Sequence, residues 1–328
     1  MENIKLEHNN ETLRETIVVE SSLAKLNIDA PSFVLKKIVS APDFLYRVPS
    51  GKFLKDLNFH ELEIPALVIT AEEDVCKQER ENGVLRIYYG DTRLKSKDCF
   101  EKDKYLERDL VWLTLTVLEA SRQMNGQFLA HASAVEKNGQ GVVFFGQTHS
   151  GKSLISSTLG FKYGFNIVGT EHTLLGKDGI EGGTHVMEFS KGLKNFLPEL
   201  PVEDPIGNPW SKENRTSLDL KKIEKHSPGA EIAGLVYVSI ADQDLTMVEW
   251  GDRKTLVQMG EWLRWMINSS QTLIHNGKRQ MPSLDTLEIS EKRMDFINNL
   301  IKNGKHIFFI KGRPDDVAKA VIEKFYEK

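Results

Sequence analysis

At 328 residues, with 40% hydrophobic and 27% charged side chains, the chain has apolar material for one large core or two modest ones. Its net charge of −4 gives no electrostatic footing for nucleic acid or an anionic membrane, and no run approaches the roughly 20 apolar residues of a membrane span. The two cysteines, Cys76 and Cys99, are not spaced as a metal or redox pair, and the opening MENIKLEHNNETLRE is too polar for a secretory leader, so a reducing cytoplasmic setting is expected.

The first hundred residues read as strands and turns. Ile17–Glu20 and Phe33–Ile38 are short apolar runs, and Phe44–Val48 ends at the turn signal Pro49-Ser50-Gly51. Pro65–Thr70 and Val84–Tyr89 carry the β-branched and aromatic residues of strands, and the polar stretch Gly90–Asp103 reads as loop. From Tyr105 to Gln123, Leu106, Leu110, Leu113 and Val117 recur at helical spacing, with Gly126 as a stop.

Next comes Phe128–Val135 (FLAHASAV), read as one strand, then a loop with Asn138-Gly139 at its tip and a second apolar run, Val142–Phe145. That pattern is a hairpin. If Glu136 opposes Gly141, Val135 pairs with Val142 and Ser133 with Phe144, and His131 falls opposite Gly146. A helix over Leu154–Leu159, stopped by Gly160, follows, and then a short strand over Phe165–Gly169. Thr173–Leu175, a Gly176–Gly179 turn and His185–Phe189 suggest a further hairpin. Lys191–Ser227 has little regular pattern. Leu235–Ile240 and Leu245–Trp250 read as paired strands, Lys254–Met266 and Glu291–Ile301 as helices, His306–Lys311 as a strand and Pro314–Tyr326 as a final helix.

The most informative stretch is GVVFFGQTHSGKS at 141–153. Gly146, Gly151, Lys152 and Ser153 match G-x-x-x-x-G-K-[ST], the Walker A pattern, between a strand and a helix. The expected binding segment is Gly146, Gln147, Thr148, His149, Ser150, Gly151, Lys152, Ser153 and Leu154. Glycines let successive amides face an anion, and the helix N-terminus adds positive potential. Lys152 would reach the β- and γ-phosphates of ATP, and the Ser153 hydroxyl would hold Mg²⁺.

Two further features stand beside this motif: Leu129, His131, Ala132, Ser133, Ala134 and Val135 on the preceding strand, and IVGTEHTLL at 167–175. Together with the strand-then-helix HIFFIKGRPDDVAKAVIEKF, they resemble the HPr-kinase family, whose core is shared with phosphoenolpyruvate carboxykinases. The closest resemblance is to small HPr-kinase-like proteins of peptide-modifying gene clusters, over roughly residues 128–328. The resemblance implies ATP-dependent phosphorylation of a hydroxyl on a protein, peptide or small molecule, and an oligomeric protein. It makes His131 the histidine that interacts with the catalytic carboxylate. The family's paired aspartates fall on Thr170 and Glu171, so Glu171 is left as general base or Mg²⁺ ligand. The segment Glu188–Leu193 lacks the arginine of the family's phosphorylase-associated signature.

The expectation is therefore an α/β fold, with a β-rich region over 1–104 and a kinase-like domain with a mixed sheet over 105–328. Glu171, His131 and Lys152 are the expected catalytic residues, Ser153 and Glu171 the metal ligands, and ATP and Mg²⁺ the cofactors. A nucleotide-binding regulator without transfer, motivated by Thr170, and an NTPase are the other readings. His149 and His172 flank the site and are read as surface residues. Lys191, Lys194, Lys212, Arg215, Lys221 and Lys222 are read as solvated surface, because acidic residues interleave with them. Trp262 and Trp265 are read as helix packing, and Arg253, Arg264, Arg279 and Arg313 as candidates to stabilise the transferred phosphoryl group.

Overall fold

The computed structural model of the protein describes residues 6–7, 14–21, 24–40, 67–72, 76–81, 84–190, 197, 200, 215–265, 267 and 283–327. They form a mixed α/β structure with several sheets, in two compact units. The first holds the described residues of 1–48, 52–125 and 264–290, and the second those of 126–263 and 291–328. The first unit thus takes in a long helix and a later segment that the sequence reading placed beyond residue 104.

In the first unit a six-stranded sheet runs in the order β1 (Leu6–Glu7), β2 (Arg14–Ser21), β3 (Ala24–Pro31), β4 (Leu67–Thr70), β6 (Val84–Gly90) and β5 (Cys76–Glu81). Strands β3, β4 and β6 run parallel, and β5 returns antiparallel on β6. The run read as Phe33–Ile38 is a helix, α1 (Ser32–Ser40), because its buried residues Val34, Leu35 and Ile38 share a helical face. The run Phe44–Val48 lies outside the described residues.

Gly90–Asp103 is not loop. Its polar residues are caps: Asp91 accepts from Arg93 N (2.8 Å) at a 3₁₀ turn over Thr92–Lys95, and Ser96 starts α2 (Lys97–Lys102). Asp103 accepts from Leu106 N (3.0 Å) at the head of α3 (Lys104–Met124). Asp91 and Asp103 both pair with Arg93.

In the second unit the hairpin register is the expected one: Ser133 opposes Phe144, Val135 opposes Val142 and Glu136 opposes Gly141. The strand before it is broken, however, into β7 (Phe128–Ala130) and β8 (Ser133–Lys137). Strand β8 pairs with β9 (Gln140–Phe145) and with β10 (Asn166–Gly169), whereas β7 pairs with β11 (Thr173–Gly176) in another sheet. The return strand of the Gly176–Gly179 turn is β12 (Gly179–Gly183), not 185–189. Residues 186–190 form β13 (Val186–Ser190), which pairs with β14 (Arg215–Asp219) inside the stretch read as irregular.

Six strands make the main sheet, in the order β10-β8-β9-β15-β17-β16, with β15 (Glu231–Ile240), β16 (Thr246–Glu249) and β17 (Ile307–Gly312). Strands β9, β15 and β17 are parallel at its centre. The runs Leu235–Ile240 and Leu245–Trp250 are not partners, because β17 lies between them.

Alternation along the central strands divides the core between the two faces. Val142, Phe144, Val236, Val238 and Ile310 pack against Ile155 of α4 (Lys152–Ser157), Leu159 of the turn that follows it, and Val317 and Val321 of α7 (Pro314–Phe325). Val143, Phe145, Leu235 and Ile307 pack against Met259 and Leu263 of α5 (Asp252–Arg264) and Ile297 of α6 (Leu287–Lys302). Helix α4 (Lys152–Ser157) does not stop at Gly160. It widens into a π turn over Thr158–Lys162, with Gly160 lying close against Ile167. Among the described residues no helix is long and apolar enough to cross a membrane.

Candidate functional site

Strand β9 ends at Phe145, and residues 146–151 cross to the head of α4 at the carboxyl edge of the parallel strands. In open α/β sheets this edge is where ligands bind. Two glycines make the loop possible. Gly146 has φ 149° and Gly151 φ 101°. A Cβ on Gly146 would lie 2.3 Å from Ser150 Oγ, and one on Gly151 2.2 Å from Ile240 Cγ1. Both conformation and space therefore exclude a side chain. His149 also takes a left-handed backbone, φ 66°, with its side chain exposed. The loop is fastened to β15 by Ile240 N donating to Ser150 O (2.9 Å).

Inside this bowl lies the Lys152 ammonium, donating to Gly146 O (2.9 Å) and Gln147 O (3.1 Å). The residue is only 7% exposed. Burial lowers its pKa from 10.5 to about 8, and the negative charge of Glu171 opposes that shift. Ser133 Oγ donates to Lys152 O (3.0 Å), which ties the head of α4 to the neighbouring hairpin. The Ser150 hydroxyl oxygen is buried in the loop with no hydrogen-bond partner among the described residues.

Glu171 and His131 are brought together by a corner in two strands at once. The pair β8–β10 belongs to the main sheet and β7–β11 to a smaller one. Both chains change sheets at the same place, residues 131–132 on one and 170–172 on the other. Residues at such a step leave the ladder. His131 Nδ1 then lies 3.9 Å from Glu171 Oε1, with Glu171 44% exposed at its side chain. Thr173 Oγ1 donates to Ala132 O (3.0 Å) and holds the two steps side by side. His131 is thus brought to this corner, rather than opposite Gly146 on a continuous strand.

Thr170 turns inward. It is 5% exposed, and its hydroxyl contacts Val186 O (2.6 Å), Thr184 O (3.1 Å) and Thr184 Oγ1 (3.0 Å). Thr184 had no signal in the sequence reading, because its role depends on two turns meeting across the fold. His172 is fully buried, its ring 5.7 Å from that of His131, and is not the surface residue expected. A second histidine pair was also missed. His185 and His226 lie ring to ring at 5.7 Å, with His185 Nε2 3.5 Å from Asp219 Oδ1. Desolvation lowers both imidazoles to about 4.

Of the candidate arginines, Arg313 follows the carboxyl end of β17, on the sheet edge of the loop, and pairs with Asp242 (2.8 Å). Arg264 pairs with Asp285 (2.7 Å) in the first unit, Arg253 is exposed on α5, and Arg279 lies outside the described residues. Lys221 and Lys222 are exposed, while Lys191, Lys194 and Lys212 lie outside the described residues, as does the side chain of Arg215. Trp262 stacks on Phe145 at 4.5 Å, as helix packing. Among the described residues no group of three or more His, Cys, Asp or Glu is arranged to hold a metal by itself. No protein-family model and no curated protein matches the chain.

Proposed function

We propose that the protein is an ATP-dependent phosphotransferase of the HPr-kinase-like type, acting on a hydroxyl of a protein, peptide or small molecule. One observation carries this reading: the Lys152 ammonium sits buried in a loop whose two ends, Gly146 and Gly151, only glycine can form, close to the Glu171–His131 pair. The residues suit a nucleotide phosphate. A lysine donating to two backbone carbonyls can exchange them for phosphate oxygens, and the buried Ser150 hydroxyl is a polar group still to be satisfied.

In this reading residues 146–154 would hold the phosphates, and Ser153 with Glu171 would hold Mg²⁺, which would offset charge on the transferred group. Glu171, oriented by His131, accepts the proton of the acceptor hydroxyl. The hydroxyl oxygen bonds to the γ-phosphorus, the bridging bond to the β-phosphate breaks, and ADP leaves. Catalysis rests on positioning and charge stabilisation.

A second reading, nucleotide binding that regulates a partner without transfer, is favoured by the inward-turned Thr170 hydroxyl, which leaves one carboxylate where the family has two. Incubation with γ-labelled ATP and Mg²⁺, with and without lysate of the source cell, separates the possibilities. Label on an acceptor is expected, and Lys152→Ala should abolish it together with most nucleotide binding. Free phosphate alone would mean an NTPase, and binding without turnover a regulator. Nucleotide binding and turnover that survive Lys152→Ala would remove the site assignment.

A further inference from the structure

Among the described residues, Thr184 makes hydrogen bonds with the backbone of the turn that carries Glu171. Thr184 O accepts from Thr170 N (3.0 Å), and Thr184 N donates to His172 O (3.0 Å). The Thr184 side-chain oxygen accepts from Glu171 N (3.0 Å) and His172 N (3.1 Å). The Thr170 hydroxyl closes the arrangement from the other side, on Thr184 and Val186 O. Thr184 is 1% exposed. The Glu171 side chain is 44% exposed, and the backbone of this turn sets where it starts.

We propose that Thr184 is the positioning residue of the site: its hydroxyl fixes the 170–172 turn and so places the Glu171 carboxylate beside His131. The proposal rests on Glu171 being the working carboxylate of the phosphotransfer reading. Two buried hydroxyls lock the turn, and Thr170 serves the lock rather than the chemistry. A one-atom loss at Thr184 leaves two amides of the turn without an acceptor, and small displacements of a reacting group are costly.

The test uses the full chain as Thr184→Val, Thr184→Ser, Glu171→Gln and the double variant Thr184→Val with Glu171→Gln. Two readouts are followed: turnover of Mg·ATP, and the imidazole NMR resonances of His131, which sense Glu171 3.9 Å away. Thr184→Val should slow turnover by about tenfold to a hundredfold while nucleotide affinity holds. It should also move the His131 resonances toward those of Glu171→Gln. Thr184→Ser should restore both, and the double variant should be no slower than Glu171→Gln alone. Thr184→Ala replaces the valine variant if that one does not fold. Wild-type turnover and resonances in Thr184→Val, or a loss that adds fully to that of Glu171→Gln, would overturn the proposal. If the wild type neither binds nor turns over Mg·ATP, the phosphotransfer reading fails on its own, and the His131 resonances still decide whether Thr184 places Glu171.

Discussion

Residue 170 separates resemblance from structure. The resemblance alone would place an aspartate there. In the fold, the Thr170 hydroxyl lies 2.6 Å from Val186 O and 3.1 Å from Thr184 O, two acceptors that require a donor. An ionised carboxylate has no proton to give, so acceptor would face acceptor in a buried position. Thr170→Asp is expected to cost about 1–3 kcal/mol of stability, read by urea denaturation, and to leave phosphotransfer no higher than wild type. Higher transfer from a fully stable variant would show that the position remains catalytic. The sequence alone could not decide this, because whether a threonine faces solvent or two carbonyls depends on the return of residues 184–186. Lys152 differs: the glycine spacing around it already placed it between the loop and the head of a helix.

At the level of elements, the site is a product of strand exchange. The register of β8 on β9 was legible because a short Asn-Gly turn fixes which residues can oppose each other. The break at His131 was not legible. FLAHASAV reads as a continuous strand, and only its partners, β11 on one side and β10 on the other, divide it. The helical nature of 32–40 and 97–102 was missed for a related reason: short apolar or polar runs take their state from caps and from the face they bury. The corner leaves no slack at Gly183. A Cβ there would lie 2.5 Å from both Gly169 Cα and Val168 O, which are backbone atoms unable to rotate away. Gly183→Ala is expected to cost about 2–3 kcal/mol and to expose the Glu171 and His172 amides to hydrogen exchange. Retained stability and protection would mean that the corner can reshape.

Across the molecule, buried histidines set an acid limit. Desolvation holds His185 and His226 at about 4 in the fold, against 6.5 for a solvated imidazole. Lys221 pushes both the same way, while Asp219 opposes the shift at His185. Between those values the unfolded chain binds more protons than the folded one. Folding stability should therefore fall as pH drops from about 6.5 to 4, and change little from this source above that window. Urea unfolding at pH 7 and pH 5 measures the loss, and His226→Gln should flatten it. An unchanged slope in that variant would place the acid sensitivity elsewhere.

By itself the sequence determined the α/β character, the glycine-lysine loop between strand and helix, and the hairpin register beside it. These follow from local rules: side-chain period, turn length, and the few residues that accept an unusual φ. Tertiary structure decided which strands are neighbours, where two of them change sheets, and that Thr170 is buried while Glu171 is partly exposed beside His131. Those outcomes depend on hydrogen bonds between residues far apart in the chain, such as Thr184 to the 170–172 turn, and no local pattern encodes them.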